Sequence, residues 1–169
     1  MTKNLLFDFT VNKENRTVRV AREFDADLAL VWKAWTTAEL LDQWWAPKPY
    51  RNLTKTLDLR DGGQWVYCMI SPENEVHWCK ADYEKIQTEK ILDWYDAFCD
   101  EQGNLNTALP RTRWANTFSQ KEDTTLVDVV IELDTIEDLE ALIAMGFKEG
   151  FTMGLGNLDE LLASIRNRE

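Results

Sequence analysis

Residues 64–83 read QWVYCMISPENEVHWCKADY, two segments of alternating pattern on either side of a short turn. The turn, Pro72-Glu73-Asn74, is typical of a three-residue hairpin loop in which Asn74 takes the left-handed backbone conformation. The loop length fixes the register of the two strands. We therefore predict an antiparallel hairpin with three defined pairs, Met69 with His77, Tyr67 with Cys79 and Trp65 with Ala81.

The two faces of this predicted hairpin differ in polarity. One face carries Lys80, Asp82 and Glu84, whose charges favour solvent, and it also carries Trp78. Since successive side chains of a strand point to opposite faces, the other face should point inward. The inward set is Trp65, Tyr67, Met69, His77, Cys79 and Tyr83.

The same alternation extends along most of the chain, interrupted by turns rich in Gly, Pro, Asn and Asp. It predicts an opening hairpin and then an antiparallel meander. The opening strands are Leu5–Val11 and Thr17–Phe24, and the meander strands are Asn52–Asp58, Gln64–Ile70, Val76–Gln87, Lys90–Cys99, Thr112–Gln120 and Thr125–Leu133.

Helical spacing occurs in two places. After Asp27, a suitable N-cap, it predicts a short helix over 28–35 and a second over 38–45, which ends before Pro47 and Pro49. Near the C-terminus it predicts a short helix over 136–144 and a long one from Met145 to Arg166. The long helix carries an apolar stripe that should face the sheet, formed by Leu158, Leu161, Leu162 and Ile165.

Three glycines recur every fourth residue at the start of this long helix, Gly146, Gly150 and Gly154. Each costs roughly 1 kcal/mol relative to alanine in a helix interior, so a compensating role is expected. We favour close approach of the helix to the sheet. The alternative is that the missing side chains leave room for a ligand or let the helix flex.

Composition narrows the class of protein. The 169 residues suit a single domain over 1–169, and the net charge of −11 disfavours nucleic acid as a partner. The N-terminal segment is interrupted by charge too early for a secretory signal, and no apolar run is long enough to insert into a membrane. Three cysteines without metal-ligand spacing indicate a reduced, cytoplasmic setting with no metal and no cofactor.

Aromatic residues converge on the inward face. Strand parity adds Trp94 and Trp114, and the start of the long helix adds Phe147 and Phe151. These residues either fill a solid core or line a ligand cavity between sheet and helix. Asp96 and Asn116 fall on the same face and are candidate polar anchors, or satisfied edge residues. The predicted cavity set is Trp65, Tyr67, Met69, His77, Tyr83, Trp94, Trp114, Asn116, Phe147 and Phe151.

A catalytic role is not predicted. His77 is the one histidine, and no nucleophile motif accompanies it. The turn Asp61-Gly62-Gly63 lacks the lysine and the strand-to-helix context of a phosphate-binding loop. We therefore predict no catalytic residue.

Several segments resemble one family. The stretch 22–36, the segment 40–47 with its Trp44-Trp45-Ala46-Pro47, the turn 58–65 and the C-terminal 150–162 look like the activator-of-heat-shock-ATPase-homologue family. That family belongs to the START-like (SRPBCC) superfamily. The resemblance implies a single START-like domain of α+β class with the helix-grip, or birch-pollen-allergen-like, fold. In this fold a curved antiparallel sheet wraps a long C-terminal helix, and two short helices follow the first strands.

The superfamily resemblance leaves three functions open, because one scaffold can host unrelated activities. The first is noncatalytic binding of an apolar or amphipathic small molecule in a cavity between the sheet and the C-terminal helix. The second is a protein-interaction module that modulates a chaperone-type ATPase and therefore has a protein partner. The third is a cyclase- or hydrolase-like enzyme, which would need a polar group with a perturbed pKa inside the cavity.

Overall fold

The computed structural model describes residues 4–167. Residues 1–3 of the N-terminal segment and residues 168–169 lie outside that range. Within it, eight antiparallel strands form one curved open sheet. The strands are β1 Phe7–Asn12, β2 Thr17–Phe24, β3 Arg51–Leu57, β4 Gln64–Ile70, β5 Val76–Gln87, β6 Ile91–Phe98, β7 Thr112–Gln120 and β8 Thr125–Glu132. Their order in the sheet is β1-β2-β8-β7-β6-β5-β4-β3.

In the described part of the chain four helices accompany the sheet, and the long C-terminal helix lies in its concave face. They are α1 Leu28–Thr36, α2 Ala38–Trp44, α3 Ile136–Ala144 and α4 Phe147–Arg166. The order of elements confirms the predicted helix-grip fold. Within residues 4–167, no helix is long and apolar enough to cross a membrane.

The β4–β5 hairpin has the predicted register. Asn74 has φ 67°, in the left-handed region, and its backbone N–H donates to the Ser71 carbonyl at 2.9 Å. The Ser71 hydroxyl oxygen accepts from the backbone N–H groups of Glu73 and Glu75, which closes the loop. The three observed pairs are Met69 with His77, Tyr67 with Cys79 and Trp65 with Ala81.

The start of α4 differs from the prediction by two residues. Gly146 has φ 85°, so the backbone turns into the left-handed region there and separates α3 from α4. A residue with a Cβ is strained in this conformation, which explains the glycine. Helix α4 therefore begins at Phe147 rather than at Met145.

Helix α4 docks most closely on the C-terminal end of α2. A Cβ at Gly154 would lie 3.3 Å from the Trp45 carbonyl oxygen and 3.4 Å from that of Trp44. The Asn157 amide donates to the carbonyls of Ala46, at 3.1 Å, and Trp44, at 3.4 Å. We expected Gly154 to allow a close approach of α4 to the sheet. The close contact at Gly154 is instead with the end of α2.

The other face of α4 closes the core. Leu158 is fully buried, and Leu161 and Leu162 lie beside it against the inward face of the sheet. Burial of such a stripe contributes roughly 25 cal/mol of stability for each Å² of apolar surface that is removed from water. This burial holds α4 across the sheet. The pocket described below opens beside the first turns of the helix.

Candidate functional site

A pocket of about 270 Å³ lies between the inward face of the sheet and the first two turns of α4, and it is open to solvent on one side. Its walls come from the end of α2, strands β4 to β7, and the α3–α4 corner. Met145, which is 54% exposed, stands at the rim. The lining residues are Trp45, Pro47, Tyr67, Met69, Cys79, Asp96, Ala97, Phe98, Pro110, Thr112, Trp114, Leu142, Met145, Gly146, Phe147, Gly150 and Phe151.

Six of the seventeen lining residues are aromatic, and Trp45 is central among them. Trp45 is the C-cap of α2, and Pro47 lies two residues further along the chain. Its ring centroid lies 5.7 Å from that of Trp114 and 6.1 Å from that of Phe151. Phe147 stacks on Phe151 at 5.4 Å. These rings present apolar surface to the pocket.

One carboxyl group, that of Asp96 on β6, lies in this apolar wall. Its Oδ2 accepts a hydrogen bond from the Tyr67 hydroxyl at 3.2 Å and another from the Trp94 indole N–H at 3.2 Å. Its Oδ1 has only a long 3.5 Å contact with Tyr67. Oδ1 therefore retains most of its accepting capacity.

Burial raises the pKa of Asp96 to about 7, even though the hydrogen bonds from Tyr67 and Trp94 favour the charged form and lower it. The negative charge of Asp82 raises it further. Among residues 4–167, no lysine, arginine or histidine forms an ion pair with Asp96. The carboxyl is thus poised between its neutral and charged forms near neutral pH.

Two other titratable groups in the wall keep their protons. Burial, together with the Asp96 carboxylate, raises the pKa of the Tyr67 hydroxyl well above its usual value. Burial likewise raises the pKa of the Cys79 thiol. A thiol in such surroundings is inert as a nucleophile, because the thiolate is the reactive form.

Half of the predicted cavity set lines the pocket. The alternation of β4 and β7 and the face of α4 place these side chains there, as the parity argument requires. They are Tyr67, Met69, Trp114, Phe147 and Phe151.

Four other members of the set fill solid core instead. Trp65 stacks on Tyr67 with ring centroids 4.0 Å apart, and Trp94 stacks on Trp114 at 5.3 Å. Tyr83 packs edge-on against Trp94. Asn116 is fully buried, donating to the Leu92 carbonyl at 2.6 Å while its Oδ1 has no partner. These four residues therefore lie outside the lining of this pocket.

His77, the tenth member of the predicted set, lies outside the lining as well. The side chain is 49% exposed at the start of β5, and its ring lies near that of Tyr50. Parity correctly gives its face, but the residue sits beyond the end of the covered part of the sheet. His77 therefore does not line the pocket.

Sequence reasoning missed several lining residues. Trp45 and Pro47 reach the pocket from α2, and Leu142 and Met145 reach it from the α3–α4 corner. The Trp44-Trp45-Ala46-Pro47 segment was a usable signal, because it carries part of the family resemblance. The positions on α3 gave no such signal. Asp96, predicted as a polar anchor, does line the pocket.

Residues 4–167 contain no group of three or more His, Cys, Asp or Glu side chains placed to hold a metal ion. The polar part of the pocket consists instead of Asp96, the Tyr67 hydroxyl and Thr112, whose Oγ1 accepts from the Trp114 indole at 2.9 Å. The arrangement can bind and orient a small molecule through one carboxyl and several rings.

Solved structures of bacterial proteins share this architecture. A Mycobacterium smegmatis protein is 25% identical, with a TM-score of 0.85 over 94% of this chain and 96% of its own. An Arthrobacter aurescens protein is 24% identical, with a TM-score of 0.88 over 93% and 91%. One from Staphylococcus epidermidis is 23% identical, with a TM-score of 0.81 over 92% and 94%.

No curated protein matches the chain. Residues 25–163, from the turn before α1 to within α4, match the family described as Activator of Hsp90 ATPase homolog 1-like protein. This range contains seven of the pocket's structural contributors, α2, β4 to β7, α3 and the start of α4. The chain therefore belongs to the Activator of Hsp90 ATPase homolog 1-like family, within the START-like superfamily.

Proposed function

We propose that this domain binds a small, largely apolar or amphipathic molecule, without catalysis, in the pocket between the sheet and α4. The observation that carries the proposal is the pocket itself, about 270 Å³ of space walled by aromatic side chains with one carboxyl. Concave apolar sites with a few convergent polar groups are the usual form of small-molecule sites. The superfamily scaffold supports the same function.

The volume limits the ligand. Liquid water takes about 30 Å³ per molecule, so the space corresponds to roughly nine waters. A compact ring compound with a short polar arm fits such a space, whereas a long acyl chain would extend out of the open side. Each Å² of apolar surface that the ligand buries contributes roughly 25 cal/mol before the costs of association.

We propose binding rather than catalysis because the pocket lacks an activated nucleophile. The Tyr67 hydroxyl and the Cys79 thiol both have raised pKa values and so remain protonated. Asp96 meets the requirement for a perturbed carboxyl, but its partners are Tyr67 and Trp94, with no base or nucleophile beside it. Turnover of a ligand, as opposed to its unchanged recovery, would favour the enzyme alternative.

The proposal includes a cytoplasmic location. Cys68, Cys79 and Cys99 are all free thiols, and Cys68 and Cys79 are buried. Free buried thiols suit a reducing compartment.

Gly150 offers a direct test. It lines the pocket, and a Cβ there would lie 3.8 Å from Cγ of Pro47, an ordinary contact, so a larger side chain can be accommodated only by filling the pocket. We expect Gly150→Leu to reduce the affinity for 2-phenylethanol at least about tenfold, since it occupies the space that the ring needs. Quenching of tryptophan emission during titration measures this affinity.

The matched control is Gly156→Leu in the same helix, where an added Cβ meets nothing within 4 Å. This variant should bind as the parent does. Equal binding by the parent and Gly150→Leu, or no saturable binding by the parent, would contradict the proposal.

A second candidate is a protein-interaction module that modulates a chaperone-type ATPase, which the family description favours. Exposed apolar side chains such as Leu53 and Val76 lie outside the pocket and could contact a protein. A parent protein that binds no pocket probe but raises the ATPase rate of a chaperone would favour this candidate.

A further inference from the structure

The polar groups of the pocket differ in how much hydrogen-bonding capacity they have left for a ligand. The Tyr67 hydroxyl and the Trp94 indole already donate to Asp96, and the Trp114 indole donates to Thr112. These three donors are therefore committed to the protein. Of the two carboxyl oxygens, Asp96 Oδ1 keeps most of its accepting capacity, since it has a single long contact.

The rings around this carboxyl add a second preference. Trp45, Trp114 and Phe151 form a triangle with centroid distances of 5.7, 5.3 and 6.1 Å, and Phe147 extends it. The faces of aromatic rings carry negative electrostatic potential and attract cations, most strongly for tryptophan. A carboxylate and several ring faces in one small pocket are together complementary to a positive charge.

The surroundings supply no competing cation. In the described range, 4–167, no basic side chain pairs with Asp96, and none lines the pocket. The protein as a whole carries a net charge of −11, which raises the local concentration of cations. No basic side chain in the wall repels an ammonium group.

We infer that the pocket selects a small organic cation, a primary ammonium group on a compact aromatic or aliphatic body, with the ammonium on Asp96 Oδ1 and the body among the rings of Trp45, Trp114 and Phe151. This inference rests on the proposed function, because it names the ligand class of the same site. Charge-assisted hydrogen bonds of this kind are stronger than neutral ones.

The inference predicts a defined pH dependence. The ammonium requires the charged form of Asp96, so its affinity should fall about tenfold per pH unit below the Asp96 pKa of about 7 in the empty pocket. The other titratable groups near Asp96 keep their protons in this range or lie on the outer face. The groups that keep their protons are Tyr67 on β4, Cys79 and Tyr83 on β5, and Cys99 after β6. Asp82 lies on the outer face, where it pairs with Lys80 and Arg111. The residues that α2, α3 and α4 present to the pocket carry no charge, and they are Trp45, Leu142, Phe147 and Phe151.

The experiment compares three probes of one shape, 2-phenylethylamine, 2-phenylethanol and 3-phenylpropionate, by calorimetric titration at about pH 8 and about pH 6. We expect the amine to bind the parent about tenfold or more tighter than the alcohol at the higher pH, and the carboxylate weakest. The advantage of the amine should shrink at the lower pH, while the affinity for the alcohol stays constant.

Two variants separate charge from structure. Asp96→Asn should bind amine and alcohol equally, because it keeps an acceptor but loses the charge. The matched control is Asp93→Asn on the opposite face of β6, where Asp93 accepts from the Asn116 backbone N–H. This control should keep the preference for the amine. If Asp96→Asn does not fold, the probe series and the pH profile of the parent decide.

The outcomes are distinguishable. An alcohol that binds as tightly as the amine and is blocked by Gly150→Leu overturns the ammonium inference and leaves the proposed function standing. A preference for the carboxylate, or an amine preference that survives in Asp96→Asn, also overturns the inference. Failure of all three probes to bind the parent overturns the inference and the proposed function together.

Discussion

The most consequential residue is Asp96, a carboxyl group in a wall made of rings. An ionised carboxyl is costly in apolar surroundings, and here two neutral donors, Tyr67 and Trp94, offset only part of that cost. If this position served only the stability of the fold, an apolar residue would be expected there. Under the proposed function, the carboxyl serves as an acceptor for a bound molecule.

Asp96 should make the stability of the empty protein depend on pH. Its pKa is raised from 3.8 to about 7 by folding, so the folded state holds the proton more tightly than the unfolded chain. The contribution of this group is complete below pH 4 and is lost as pH rises toward 7. Asp96→Asn removes the effect. We expect its stability relative to the parent to increase by about 2 to 4 kcal/mol between about pH 4 and about pH 8.

Urea unfolding at a series of pH values measures this difference. Asp128→Asn, a change in an exposed ion pair with Arg19 on the outer face, serves as the comparison. It should show no such increase. If the difference in free energy of unfolding between Asp96→Asn and the parent is the same at every pH, folding does not disfavour the charged form of the Asp96 carboxyl.

At the scale of elements, the position of α4 determines where the pocket can exist. Its middle is tied to the end of α2, because Asn157 binds the carbonyls of Trp44 and Ala46 and Gly154 allows the close approach. The pocket lies against its first turns, where Phe147, Gly150 and Phe151 line it.

This docking predicts opposite effects for two neighbouring glycines. Gly156→Ala should stabilise the fold by about 0.5 to 1 kcal/mol, because alanine favours the helix and the position is open. Gly154→Ala should be less stable than Gly156→Ala by about 1 to 2 kcal/mol, because the new Cβ would press on the carbonyl oxygens of Trp45 and Trp44. Thermal or chemical denaturation of the pair gives the difference. Equal stability of the two variants would show that α4 is not clamped to α2.

The elements themselves were predictable from the sequence. A period of two in the strands, with Asn74 fixing one loop, was enough to give the register of β4 and β5 to the residue. The start of α4 was placed two residues early, because its apolar pattern continues through Gly146 while the backbone changes hand there. Spacing of side chains does not report such a change.

At the scale of the whole molecule, the pocket was only half predictable. Parity gives the face of a residue but not its position along the strand, and this position decides between pocket, core and solvent. Trp114 lines the pocket, Asn116 lies two residues further in the core, and His77 lies beyond the cover of the helices. Trp45 was missed because it arrives from α2, so its place depends on how the elements pack.

The eight tryptophans allow the central claim, that a small molecule occupies this pocket, to be measured at individual residues. Trp45 and Trp114 line the pocket, whereas Trp78 lies on the outer face near Lys55, with its ring centroid 5.9 Å from Nζ. Spectra of the ¹⁵N-labelled indole N–H groups, recorded while 2-phenylethanol is added, report on each of them separately. We predict saturable shifts at Trp45 and Trp114 that follow one binding constant, with Trp78 unchanged. Shifts that do not saturate, or that are as large at Trp78 as at Trp45, would contradict it.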